Sequence, residues 1–278
     1  MSLFIQAKEL ASSLGSSDLV IFDTRFDIKS PQWGKEEYLN GHIPGAHYLD
    51  LEKDLSAKPS QHGGRHPLPD TLKLEEKLKR CGLNNDSQVV IYDQGTGVYA
   101  GRLWFQLRLM GLKSISLIDG GMGAWKEAQL PLSSAKETHL QGRFKAVLKT
   151  ELIASRKDIL PAINKGFKLI DARSAERFRG ESEPLDPHAG HIPGASNYFW
   201  KENLDPSGKL KSPNALQAQF QTLGLKPEDK IIAYCGSGVS ANHVLMALEE
   251  LGYSQTQLYV GSWSDWCSYG SFPLAKGE

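Results

Sequence analysis

Apolar residues in this chain fall into short runs, separated by longer stretches where they recur every three or four positions. The runs centred on Val20-Ile21-Phe22, Val89-Val90-Ile91, Ile115–Ile118, Leu169-Ile170, Ile231-Ile232-Ala233 and Gln257–Val260 predict strands. Several are apolar at consecutive positions, as strands buried on both faces must be. Between them, Leu72, Leu74 and Leu78, then Leu216, Phe220 and Leu223, then Ala241, Val244, Leu245, Leu248 and Leu251 recur at helical spacing and predict helices with one packed face. Gly111 and Gly252 stand where helices of this kind stop. Strands alternating with helices imply an α/β protein, with mostly parallel sheets carrying helices on both faces.

The pattern occurs twice. Gly41-His42-Ile43-Pro44-Gly45-Ala46 returns as Gly190-His191-Ile192-Pro193-Gly194-Ala195, 149 residues later. Asp23-Thr24-Arg25 answers Asp171-Ala172-Arg173 at 148, Asp93 answers Cys235 at 142, and Gly120 and Trp125 answer Gly261 and Trp266 at 141. Landmarks in the same order at nearly constant offsets mark a tandem duplication. The expected domains are 1–132 and 151–278, with 133–150, rich in Ser, Lys, Thr and Gln, as the linker.

Lys plus Arg and Asp plus Glu both number 32, so no global field recruits nucleic acid or a membrane surface. The opening MSLFIQAKEL lacks a leader's apolar stretch, and no run reaches membrane-spanning length. Cys81, Cys235 and Cys267 are odd in number and far apart. That argues against a disulfide framework or zinc site, favours a reducing cytoplasm, and leaves no implied metal or cofactor.

One of these cysteines opens the loop Cys235-Gly236-Ser237-Gly238-Val239-Ser240, between a strand and a helical pattern. Sites in parallel sheets lie beyond the carboxyl ends of the strands. There the free N–H groups of a helix start, and glycines that let amides turn inward, form a nest for an anion. A thiol so placed is expected to be a thiolate and a nucleophile. Asp171 falls at a neighbouring strand end; with Arg173 it either supports the site or forms a buried ion pair.

This loop, the paired Gly-His-Ile-Pro-Gly-Ala turns and the stretch Asp171-Ala172-Arg173 to Glu176-Arg177-Phe178-Arg179-Gly180 resemble the rhodanese superfamily, specifically its two-domain sulfurtransferases. The resemblance covers nearly the whole chain and implies two tandem rhodanese-like domains, the first catalytically silent with Asp93 in place of the cysteine. It implies a Cys235 persulfide, loaded by an anionic donor and unloaded by cyanide or a thiol such as thioredoxin. Arg177 matches the family's donor-binding arginine, and Arg179 is the second candidate. The neutral loop is like that of relatives using 3-mercaptopyruvate, with thiosulfate as the alternative donor. In those relatives a serine at the place of Ser237 works with a histidine, which motif position assigns to His42. Because His191 repeats His42, a structural role for both is the competing reading. Leu185 stands where such enzymes commonly carry a second arginine. Phe26 is a further candidate to line the site, and Cys267 to regulate the nucleophile.

Two other classes are weighed. A cysteine phosphatase needs Cys-x5-Arg, and position 241 is Ala. A non-catalytic binding module has no use for an intact cysteine in a glycine-rich cradle.

Overall fold

The computed structural model describes residues 2–138 and 140–278. They form two compact units, each with its own parallel sheet.

The first unit contains residues up to Ala57, Leu68–Lys149 and Pro206–Leu210. Its elements are β1 (Phe4–Ile5), α1 (Ala7–Ser13), β2 (Leu19–Asp23), α2 (Trp33–Asn40), β3 (Ala46–Tyr48), α3 (Thr71–Arg80), β4 (Gln88–Tyr92), α4 (Val98–Leu109), β5 (Ile115–Ile118) and α5 (Gly121–Glu127). The sheet order is β1-β5-β4-β2-β3, with Ile21 opposite both Val90 and Ala46. Ile21, Ile43, Val90, Tyr92 and Trp125 share one core cluster.

The second unit contains Lys58–Pro67, Thr150–Asp205 and Lys211–Glu278. Its elements are α6 (Ile159–Asn164), β6 (Lys168–Asp171), α7 (Ala175–Arg179), β7 (Ala195–Asn197), α8 (Pro213–Thr222), β8 (Ile231–Tyr234), α9 (Ala241–Glu250), β9 (Thr256–Leu258) and α10 (Ser262–Trp266). The order is β7-β6-β8-β9, all parallel, with Ile170 opposite Ala233. Leu169, Ile192, Ile232, Tyr234, Trp263 and Trp266 pack together beneath it.

The duplication extends to individual hydrogen bonds. Arg25 binds Asp23 at 2.6 Å and donates to the Gly41 carbonyl at 2.8 Å; Arg173 binds Asp171 at 2.6 Å and donates to Gly190 at 2.7 Å. The hydroxyls of Tyr92 and Tyr234 accept the N–H of Ile43 and Ile192 at 3.2 and 3.1 Å. Each Asp-x-Arg strand end therefore anchors its own Gly-His-Ile-Pro-Gly-Ala turn.

The expected boundaries need correction. The stretch assigned as linker is packed into the first unit as far as Lys149. Phe144 is fully buried and donates its N–H to Leu83, Val147 donates to Met110, and Asn84 and Asn85 accept from Arg143 and Lys145. Conversely, residues 58–67 of the N-terminal half belong to the second unit. Residues 206–210 belong to the first, where the Leu210 N–H reaches the Asp119 carboxylate at 2.9 Å.

Candidate active site

Cys235 directly follows β8, and Ser240 is the N-cap of α9. Around the turn, α10 holds the backbone. Trp263 N–H donates to the Cys235 carbonyl at 2.9 Å, Ser264 N–H donates to Gly236 at 2.9 Å, and Cys235 N–H donates to the Ser262 hydroxyl at 3.1 Å. Gly238 has φ +72°, and a side chain there would sit 2.1 Å from the Val260 carbonyl oxygen, so the turn accepts only glycine. Burial alone would push the Cys235 thiol up. The Ser240 hydroxyl and the N–H groups of Ala241, Ser237 and Val239 point at the sulfur and outweigh it, so the thiol lies below its ordinary value of 9.0.

The first unit carries the corresponding turn with Asp93 in place of the cysteine. Its Asp93 carboxylate accepts from the N–H of Gly95 at 2.8 Å, of Gly97 and Tyr99 at 3.0 Å, and of Ala100 at 3.5 Å. Burial pushes that carboxyl above its ordinary value, and these four donors offset only part of the rise. One half thus places a carboxyl group where the other places a thiol. The backbone behind them also repeats: Gly121 and Ser262 have φ +53° and +55°. Glycine adopts this left-handed conformation freely. Serine does so at a cost of roughly 1 kcal/mol or more, and its hydroxyl is the group that receives the Cys235 N–H.

Ser237 has a histidine partner, but it is His66 and not His42. His66 Nδ1 and Ser237 Oγ share a hydrogen bond of 2.7 Å, and both residues are buried. His66 arrives on the 58–67 strap, which is fixed along α10. Gly63 N–H donates to Asp265 at 2.7 Å, Arg65 N–H to Ser264 at 3.1 Å, and the His62 ring stacks on Tyr269 at 3.8 Å. Gly64 permits the close approach: its φ is +84°, and a side chain would come within 2.4 Å of the Gly261 carbonyl oxygen.

His42 is occupied within the first unit. Its Nδ1 meets the Tyr38 carbonyl at 2.8 Å, its Nε2 lies 3.4 Å from Glu137, and its ring stacks on Tyr38. His191 does the same with Phe178, bonding its carbonyl at 2.8 Å and stacking on its ring. The pair repeats as architecture. No spacing rule singles out His66, although Gly63-Gly64 ahead of a polar Arg-His pair is a signal of close backbone approach.

Arg177 lies at the loop, 3.4 Å from where a Gly236 side chain would begin. Glu183 holds it at 2.7 Å, and Asp186 at 3.5 Å. Arg179 does not join it; its guanidinium is paired with Glu181 on the surface at 2.7 Å. Asp171 is fully buried against Arg173, whose other nitrogen reaches Glu183 at 3.1 Å. Asp171 is thereby linked, through Arg173 and Glu183, to Arg177. Phe26 is fully buried and edge-on to Tyr99 in the first unit.

Cys235 is only 2% exposed, where the sequence reading asks for an openly reachable thiol. Arg65, on the strap, lies over the neighbouring Gly236. Cys81 and Cys267 are buried free thiols, and burial pushes each up to about 11. All three cysteines are free, so Cys267 and Cys235 are not linked.

The rhodanese-like domain profile matches residues 6–128 and 155–269. The chain belongs to the rhodanese family. A probable 3-mercaptopyruvate sulfurtransferase from Pseudomonas aeruginosa is 43% identical over 279 residues, covering 99% of this chain and 98% of that protein. A putative thiosulfate sulfurtransferase, SseB, from Mycobacterium tuberculosis is 37% identical, with 99% and 97% covered. The crystal structure of the Escherichia coli 3-mercaptopyruvate sulfurtransferase SseA superposes with a TM-score of 0.84 at 34% identity, over 95% of this chain and all of that one.

Within this rhodanese chain, Leu185 is half exposed and brings no charge to the loop. No group of three or more His, Cys, Asp or Glu among the described residues could hold a metal ion. No helix among them is long and apolar enough to cross a membrane.

Proposed function

We propose that this protein is a sulfurtransferase. It moves a sulfane sulfur from an anionic donor, with 3-mercaptopyruvate ahead of thiosulfate, through a Cys235 persulfide to cyanide or a thiol acceptor. The observation that carries this is the Cys235 sulfur, lowered in pKa by three backbone N–H groups and one hydroxyl. Those donors stabilise the thiolate before attack and the outer persulfide sulfur afterwards, as an oxyanion hole serves oxygen.

With 3-mercaptopyruvate, the thiolate attacks the donor sulfur and the carbon–sulfur bond breaks. Its electron pair passes to the methylene carbon as the enolate of pyruvate, which must take up a proton. The Ser237–His66 pair, 2.7 Å apart beside the nucleophile, is suited to manage that proton. With thiosulfate, sulfite leaves with the sulfur–sulfur electron pair and needs no proton. A buried Ser–His pair therefore favours the mercaptopyruvate reading.

In the second half-reaction, cyanide or a thiolate such as that of thioredoxin attacks the outer sulfur and regenerates the Cys235 thiolate. A reducing compartment such as the cytoplasm keeps the nucleophile in this state. After donor exposure, intact-mass spectrometry should show one added sulfur on the Cys235 peptide, absent in Cys235→Ser. Comparing kcat/KM for the two donors ranks them. Full turnover by the serine variant would remove Cys235 from the mechanism.

A further inference from the structure

The amides that reach Cys235 belong to peptides held from behind. In a planar trans peptide the C=O and the N–H point to opposite sides, so a bond to the carbonyl fixes where the amide aims. Ser264 N–H holds the Gly236 carbonyl at 2.9 Å, and the N–H on the far side of that peptide, Ser237's, is one of those at the sulfur. The Gly238–Val239 peptide is held by a side chain instead. Asn242 Nδ2 donates to the Gly238 carbonyl at 3.1 Å and to the Val239 carbonyl at 2.9 Å, and the Val239 N–H is again at the sulfur. This peptide needs a hold, because Gly238, at φ +72°, has no side chain to stop the plane after it from turning over. Asn242 is fully buried in the first turn of α9, and it is a costly residue there. Helices favour alanine over asparagine, and the Asn242 Oδ1 is buried without a hydrogen bond among the described residues. Turning the amide over brings no relief, since an oxygen would then face two carbonyl oxygens. The first copy, which lacks the nucleophile, has Gly101 and Ala100 at 141 and 142 positions earlier, neither with a side-chain donor.

We propose that Asn242 is a positioning residue for the nucleophile: its amide holds the Gly238 and Val239 carbonyls away from Cys235 and so keeps the Val239 N–H on the sulfur. The consequence for turnover rests on the sulfurtransferase reading above; the aim of the amide does not. The thiolate keeps a donor that the glycine would otherwise leave free to swing, and the outer persulfide sulfur meets that donor already oriented. Arg65 and Arg177 meet the loop at Gly236, and His66 meets it at Ser237, ahead of the peptides that Asn242 holds. A substitution at 242 therefore leaves those titratable and charged groups in place.

The test compares Asn242→Ala, which removes the donor, with Asn242→Ser, whose hydroxyl can donate to a carbonyl one turn back. Thiolate ultraviolet absorbance is followed against pH, each protein being measured as the difference from its counterpart carrying Cys235→Ser. Asn242→Ala should lower the thiolate-to-thiol ratio at a given pH about threefold to tenfold, with Asn242→Ser between it and wild type. The acidic limb of the kcat/KM profile should move to higher pH by the same factor. A side chain that only filled space would change the melting temperature and leave both curves where they are. An Asn242→Ala titration that superimposes on wild type overturns the proposal, as does an Asn242→Ser titration that coincides with Asn242→Ala. Should Asn242→Ala fail to fold, Asn242→Leu, which keeps the branched shape without a donor, takes its place under the same criteria. Should wild-type protein gain no sulfur from either donor, the sulfurtransferase reading fails, and the absorbance titration still decides the role of Asn242.

Discussion

Replacing Ser240 with alanine should cost Cys235 part of its acidity while leaving the fold in place. Ser240 contributes a side-chain hydrogen bond to the sulfur, and the N–H groups of Ala241, Ser237 and Val239 remain in the variant. A hydrogen bond to a charged group contributes about 1.5–3 kcal/mol. At about 1.4 kcal/mol per decade, its loss lowers the thiolate-to-thiol ratio roughly tenfold to a hundredfold at a given pH. Thiolate ultraviolet absorbance, taken as a difference against Cys235→Ser, reads this without requiring a reagent to reach a sulfur that is 2% exposed. Cys81 and Cys267, each pushed up to about 11, titrate in a separate, more alkaline window.

The stability of the protein should move with the same titration. The folded thiol lies below the ordinary 9.0, so its ionisation stabilises the folded chain above that value. The contribution disappears as pH falls through the folded pKa. Ser240→Ala should show a smaller contribution over a narrower range. Titration curves of wild type and Ser240→Ala that superimpose would show that backbone amides alone set the acidity, and that the hydroxyl is incidental.

The two histidines should separate by donor and by readout. His66→Ala should slow 3-mercaptopyruvate turnover about a hundredfold or more while thiosulfate turnover, which needs no proton, changes little; equal losses with both donors would count against a proton-handling role. His42→Ala should leave kcat unchanged and lower the melting temperature, because its ring bonds Tyr38 and Glu137. Asp171→Asn breaks a pair whose side chains are 1% and 0% exposed, so denaturant titration should show a loss of about 3–5 kcal/mol; a change below 1 kcal/mol would mean that Arg173 is satisfied by Glu183 and Gly190 alone.

What could be read from the sequence is what depends on neighbours in sequence. The run Ile231–Tyr234, the loop that follows and the helix after it form one local strand–turn–helix unit, so the position of Cys235 and the inward-facing amides follow from spacing alone. The duplication then supplied an internal control. A feature present in both copies, such as Asp-x-Arg or the turn histidine, is carried by bonds that both copies make. A feature present in one copy marks where the copies diverge in chemistry: Cys235 against Asp93, and Ser262 against Gly121.

The misassigned histidine follows from the same logic. His66 lies 171 positions from Ser237 on a segment without periodicity, and what places it is tertiary: a strap clamped to α10 by Asp265, Ser264 and Ser268. Only two glycines betray the contact locally, Gly64 against Gly261 and Gly236 beneath Arg65. One is needed for the strap to reach α10 and the other for the strap's arginine to reach the loop. Glycine conserves room for something that is distant in sequence, so it shows that a close approach exists without showing to what. The cysteine loop is therefore legible in the chain, whereas the histidine bonded to Ser237 and the guanidinium over Gly236 become visible only when the strap is seen lying over the loop.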